Sequence, residues 1–111
     1  MTIPTRSAAQ RRQALARAVE ARRARAAMKA RVRAGEVSVR EVIAIAHQDQ
    51  LSGDDEHVAS MRVQDLLEAL PSVGKVRARR LMEDLDIAPS RRLRGLGPRQ
   101  EAALLDSFER R

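Results

Sequence analysis

The sequence predicts an all-α protein, a long N-terminal helix followed by a compact set of shorter helices. Three observations carry this. Apolar residues recur at i, i+3, i+4 and i+7 in successive stretches, which is the period of one helix face. Residues 7–34 are mostly Ala, Arg, Gln and other strong helix formers. Two short stretches, LPSVGK at 70–75 and LRGLGP at 93–98, each place a glycine just before a helical run.

The elements follow in order. Ser7 and Gln10 have the Ser-x-x-Gln spacing of a capping box, and Gly35 supplies a stop. A helix of that span is roughly 40 Å long at about 1.5 Å per residue. Its larger apolar residues, Leu15, Val19, Met28 and Val32, make no wide stripe. Core burial cannot offset the ordering entropy of much of it, so the helix is expected to fray in the free protein. The chain is accordingly divided into a basic helical arm, residues 1–35, and a domain, residues 36–111.

In that domain Ser38 and Glu41 form a second capping-box pattern, and Val39, Val42, Ile43 and Ala46 line one face. Val63, Leu66, Leu67 and Leu70 repeat the stripe, as do Ala78, Leu81, Met82 and Leu85, with a shorter version at Leu104, Leu105 and Phe108. These residues are the expected core, Met82 and Phe108 acting as gap fillers. The intervening HQDQLSGDDEHVAS, with its Asp54, Asp55 and Glu56 cluster, reads as a loop. Three adjacent carboxylates lack the alternating ligand spacing of a calcium loop, so the cluster reads as a solvated acidic turn that keeps polyanions on the opposite face.

Composition narrows the partner. The 111 residues hold 22 basic and 15 acidic side chains, a net charge of +7, which favours a polyanion such as nucleic acid. Phe108 is the sole aromatic residue. Membrane-surface helices place aromatic or large apolar residues opposite their basic face, and single-strand binders stack bases on aromatics, so both classes are disfavoured. No stretch approaches the length of a membrane span, and an intracellular location is expected. The absence of Cys excludes thiol nucleophiles and Cys-ligated zinc. His47 and His57 have no partner histidine at ligand spacing and read as ordinary surface residues, so neither metal nor cofactor is expected.

Charge is also segregated: residues 1–40 carry +9, residues 41–70 carry −6 and residues 71–111 carry +4. Two basic regions separated by an acidic one suggest an arm and a turn-bearing face that touch the same polyanion. Arg22 and Arg23 are the arm's candidate contacts.

The two glycine stretches supply the rest. Leu70, Ser72, Val73 and Gly74 correspond to Leu93, Gly95, Leu96 and Gly97 after 23 positions. A glycine turn at a helix start can lay backbone N–H groups against a phosphate, since no Cβ blocks the approach and the helix dipole faces the anion. Apolar-x-Gly-apolar-Gly is the outline of a helix-hairpin-helix element, complete in the second copy and with Ser72 in place of the first Gly in the first copy. Arg91, Arg92 and Arg94 run just ahead of Gly95 and Gly97. Their guanidinium groups can hold phosphates bidentately or enter a narrowed minor groove, with little dependence on base sequence.

The stretches LLEALPSVGKVRARRLME and IAPSRRLRGLGPRQEAALL resemble the actinobacterial integration host factor family, and the resemblance runs from the Ala/Arg-rich helix to Phe108. It implies a helix-two-turn-helix domain similar to that of ribosomal protein S13, preceded by a long helix. It also implies a nucleoid-associated protein that binds duplex DNA with little sequence preference, bends and compacts it, and assists phage integrase. By position, Arg91, Arg92 and Arg94 are the implied DNA-contacting cluster. Gly74, Lys75 and Arg77 form the first turn, Gly95 and Gly97 the second, and the N-terminal helix straps the duplex. The acidic loop looks longer than the family's usual one, and Asp86 and Pro98 occupy variable positions.

Two other classes compete. A helical domain of this kind can sit on structured RNA, which predicts preference for folded RNA over duplex DNA. A base-excision enzyme of glycosylase or lyase type needs a fitted pocket for a flipped base, which one Phe hardly builds. Lys75 as a Schiff-base amine is outweighed by a phosphate-contact role beside Arg77 at a helix start. The expectation is a non-enzymatic, architectural DNA binder.

Overall fold

Capping boxes start the first two helices. The computed structural model of the chain describes residues 7–109. In α1 (Ala8–Arg33) the Ser7 hydroxyl accepts from the Gln10 N–H while the Gln10 side chain accepts from the Ser7 N–H. Ser38 and Glu41 do the same for α2 (Val39–Ala46). Each box satisfies two of the amides that a helix start leaves without partners. At its far end α1 closes with Gly35 N–H on Val32 O and Glu36 N–H on Arg31 O, the paired bonds of a Schellman motif.

Four further elements complete the chain: α3 (Asp54–Ala59), α4 (Val63–Ala69), α5 (Gly74–Asp84) and α6 (Pro98–Glu109), with a single 3₁₀ turn at Leu93–Gly95 between the last two. Among the described residues there is no strand, only one isolated antiparallel bridge between Arg62 and Arg92.

The expected stripes are the core. Val42, Ile43, Val63, Leu66, Leu67, Ala78 and Leu104 are fully buried, and Leu81, Leu85, Leu105 and Phe108 pack partly exposed around them. Each fully buried Leu or Ile contributes about 1.5–3 kcal/mol by leaving water. α1 joins this core only through its C-terminal half, where Ala24, Met28 and Val32 are buried against α3 and α4. Its N-terminal half leaves Leu15 and Val19 at 63% and 49% exposure, and the molecule measures 57 × 32 × 29 Å.

The segment expected to be a loop needs correction. Residues 54–59 form α3, started by Gly53 with a left-handed φ of 59° and carrying Asp54, Asp55 and Glu56 in its first turn. Carboxylates there favour a helix by facing its positive dipole end. Six residues are too few to display a helical period, and Val58 and Ala59, both buried, hold the turn by tertiary packing. The acidic side chains also do more than repel. Asp54 Oδ1 takes the Arg23 guanidinium at 3.0 Å, while Arg25 donates to His57 O at 3.2 Å and to Ser60 Oγ at 2.7 Å. α3 is therefore the seat of the basic helix. No described helix is long and apolar enough to cross a membrane.

Candidate nucleic-acid interface

The first turn links α4 to α5. Val73 is buried and its N–H bonds Leu70 O at 3.2 Å, which anchors the turn and leaves Pro71, Ser72, Gly74 and Lys75 at the surface. Ser72 and Gly74 both adopt left-handed backbone, φ 68° and 70°. A Cβ on Gly74 would meet nothing within 4 Å, so glycine is required there by conformation and not by space. No side chain caps α5. Its first amides are therefore left open at an exposed, positively polarised helix end. Lys75, Val76 and Arg77 are exposed beside them, Val76 at 71%. Arg77 is engaged within the turn, since Nη1 donates to Ser72 O at 2.9 Å.

The second turn is built differently. Val63 N–H donates to Arg91 O and Leu93 N–H to Met61 O, both at 2.9 Å, so residues 91–93 run extended against residues 61–63. In extended backbone, neighbouring side chains face opposite ways, and Leu93 enters the core fully buried while Arg92 stays at the surface. Arg91 Nη1 donates to Gly95 O at 3.0 Å and Arg92 Nη1 to Ser60 O at 2.9 Å. Each guanidinium keeps further N–H groups for a ligand. Arg94 lies exposed at the rim of an open cleft of about 430 Å³, with His47, Asp49 and Glu56 among its lining.

Gly97 does not repeat the Gly74 geometry. It has no left-handed φ, and its N–H is taken by Gln100 Oε1 at 3.1 Å. The repeat in the sequence thus marks two helix starts of unlike construction. Neither is Gly95 left-handed, although it corresponds in sequence to Ser72.

His47, expected as an ordinary surface residue, ties three elements together. Nε2 is 3.0 Å from Leu93 O and Nδ1 is 3.4 Å from Glu101 Oε2, so it links the end of α2 to the second turn and to α6. No ligand-type spacing pointed to this role. Ser60 is a second missed residue, since it receives Arg25 of α1 on its hydroxyl and Arg92 on its carbonyl. Arg62 is a third. It faces Arg92 across the bridge and pairs with Asp65 at 3.3 Å, which adds one more cation to the arginine segment.

The structure therefore brings Arg91, Arg92, Arg94, Gly95 and Gly97 into one segment, and Gly74, Lys75 and Arg77 into one turn. Arg22 and Arg23 stand apart on α1. Arg22 is exposed, whereas Arg23 is paired with Glu20 and Asp54, at 2.9 and 3.0 Å. Its hydrogen bond to Glu20, and then the Asp54 charge, hold it protonated above the ordinary guanidinium range. Such exposed pairs add little stability and are screened by salt, so a competing anion can take their place.

This arrangement defines a class, a small all-helical protein whose two turns present backbone amides and guanidinium groups on one packed core. A model of the S13-like H2TH domain matches residues 32–108. The chain is 47% identical to the integration host factor of Mycolicibacterium smegmatis over 109 residues, 98% of each chain. It is 47% identical to that of Mycobacterium tuberculosis over 97% of each chain. For Streptomyces coelicolor integration host factor the identity is 44%, over 97% of this chain and 95% of the relative. A solved structure of sIHF bound to an 8-bp palindromic DNA superimposes with a TM-score of 0.74 at 43% identity, covering 83% of this chain and 97% of that one. The chain belongs to the S13-like H2TH family, among the integration host factors of mycobacteria and Streptomyces.

Proposed function

We propose that the chain is a nucleoid-associated architectural protein that binds double-stranded DNA with low sequence specificity and bends and compacts it. The observation that carries this is the arginine segment: its backbone is locked to residues 61–63 while Arg91, Arg92 and Arg94 remain at the surface. Fixed guanidinium groups without a fitted pocket suit a uniform phosphate backbone better than a base edge. In this reading Gly74 and Lys75 offer a phosphate the open start of α5, with Arg77 beside them. Gly95 and Gly97 let the duplex approach the second turn, and Arg22 and Arg23 of the arm, residues 1–35, contact the same duplex. The role is binding and not catalysis, and bending a site for a phage integrase belongs to it.

With about six phosphate contacts, log K falls against log salt with a slope near −5, at about −0.9 per phosphate. Preferences among duplexes then follow deformability, flexible pyrimidine–purine steps being bent at least cost. The test is a competitive gel-shift titration at two salt concentrations with random duplex DNA, single-stranded DNA and a structured RNA of equal length. Duplex preference with the steep slope is expected. Preference for the RNA would replace this reading with a ribosome-associated one. One duplex sequence bound thousands of times better than random would defeat the phosphate mechanism.

A further inference from the structure

The first turn contains a conformation that its sequence does not favour. Ser72 is held at a φ of 68°, where a side chain's Cβ crowds the following carbonyl and glycine is the usual occupant. The starts of α1, α2 and α6 are secured by side-chain oxygens that accept from backbone N–H groups, those of Ser7, Ser38 and Gln100. That device would consume the amides at the head of α5. Instead Arg77 approaches from the other polarity. Side chains on a helix lean toward its N-terminus, and Arg77 Nη1 reaches back to donate to Ser72 O at 2.9 Å.

We infer that Arg77 is a positioning residue, which locks Ser72 in the left-handed conformation through its carbonyl and so leaves the α5 amides open for phosphate. The inference rests on the DNA-binding reading and assigns Arg77 a task other than phosphate contact. A bond from Arg77 to a carbonyl oxygen secures the turn without occupying a backbone N–H. It also couples two residues that a simple basic patch would leave independent. Glycine at position 72 adopts the same backbone unaided, so it makes the lock superfluous.

The test is a double-mutant cycle on the full chain: Ser72→Gly, Arg77→Ala, and both together, each measured for affinity to a random duplex across a salt series and for thermal melting. Arg77→Ala is expected to weaken binding about tenfold, the size of one hydrogen bond to a charged group, with the salt slope unchanged. Adding Ser72→Gly should restore affinity to within about twofold of the unmodified chain, because the two changes act on one turn. An Arg77→Ala defect that Ser72→Gly does not rescue, with the slope shallower by about 0.9, makes Arg77 a phosphate contact and overturns the inference. An Arg77→Ala chain that binds at full strength overturns it too. If the unmodified chain holds no duplex, the DNA reading falls and melting decides the lock. A lowered Tm in Arg77→Ala that Ser72→Gly restores supports the lock, and additive Tm changes reject it.

Discussion

The two turns share a sequence pattern and divide their chemistry. At the first, Ser72 and Gly74 are left-handed and α5 starts without a capping side chain. At the second, the Gly97 N–H is already taken by Gln100, and the exposed groups are guanidiniums on a backbone pinned to residues 61–63. The first turn presents backbone, the second side chains. A repeated motif therefore specifies where a helix begins. What that beginning offers a ligand is decided by the neighbours that fill or spare its amides.

The largest expected effect comes from removing the side chains of the second turn. Replacing Arg91, Arg92 and Arg94 together by Ala should weaken all duplexes by about 1000-fold, each hydrogen bond from a charged group contributing roughly 1.5 kcal/mol. The salt slope should become shallower by about 2.7. Gel shifts read both, and circular dichroism checks that helicity is kept. Lost helicity would show that the bonds to Gly95 O and Ser60 O are the cluster's main work.

Leu93→Ala tests the support and not the contacts. Leu93 is fully buried, and truncating a core Leu costs about 2–5 kcal/mol. Thermal or urea unfolding should show that loss. Amide exchange should rise at residues 91–96 more than at residues 72–76, and equal rises would mean that the turns are not separate units.

A glycine pair sharpens the contrast. Gly74→Ala should cost about 1–2 kcal/mol from its left-handed backbone alone, since the new Cβ meets nothing. Gly97→Ala should change stability by less than about 0.5 kcal/mol, because its backbone is ordinary and the nearest atom to a new Cβ is Gln100 Oε1 at 3.6 Å. Equal costs would erase the distinction between the turns. An effect of opposite sign, smaller than that of Gly74→Ala, is expected at Asp86, a left-handed residue just past the end of α5 at φ 55° whose N–H bonds Glu83 O. Asp86→Gly should stabilise by about 0.5–1 kcal/mol in unfolding experiments and leave duplex affinity unchanged.

Much of the fold was legible because its signals are local. Both capping boxes, the stop at Gly35, the apolar faces and the helix start at Pro98 depend on residues within one or two turns of each other. α3 was not legible, since its six residues are held by burial of Val58 and Ala59 under α1. In the candidate site the residue types and their grouping could be read from Gly74, Lys75 and the Arg91–Arg94 run. The partners of Arg77, Arg91 and Arg92 could not. Ser72 O, Gly95 O and Ser60 O are backbone acceptors, and a sequence carries no mark of which carbonyl a guanidinium will find. His47 lies at the surface as expected, and its partners were hidden for the same reason, because Leu93 O lies 46 residues away.

Ser60 joins the arm to the arginine segment, holding Arg25 on one atom and Arg92 on another. The angle between these two elements is thus built into the protein itself. On the DNA-binding reading proposed above, a fixed angle acts as a mould: every duplex pressed into it would take the same curvature, whatever its bases. Sequence would then change how often the mould is filled, and leave the shape of what comes out of it alone.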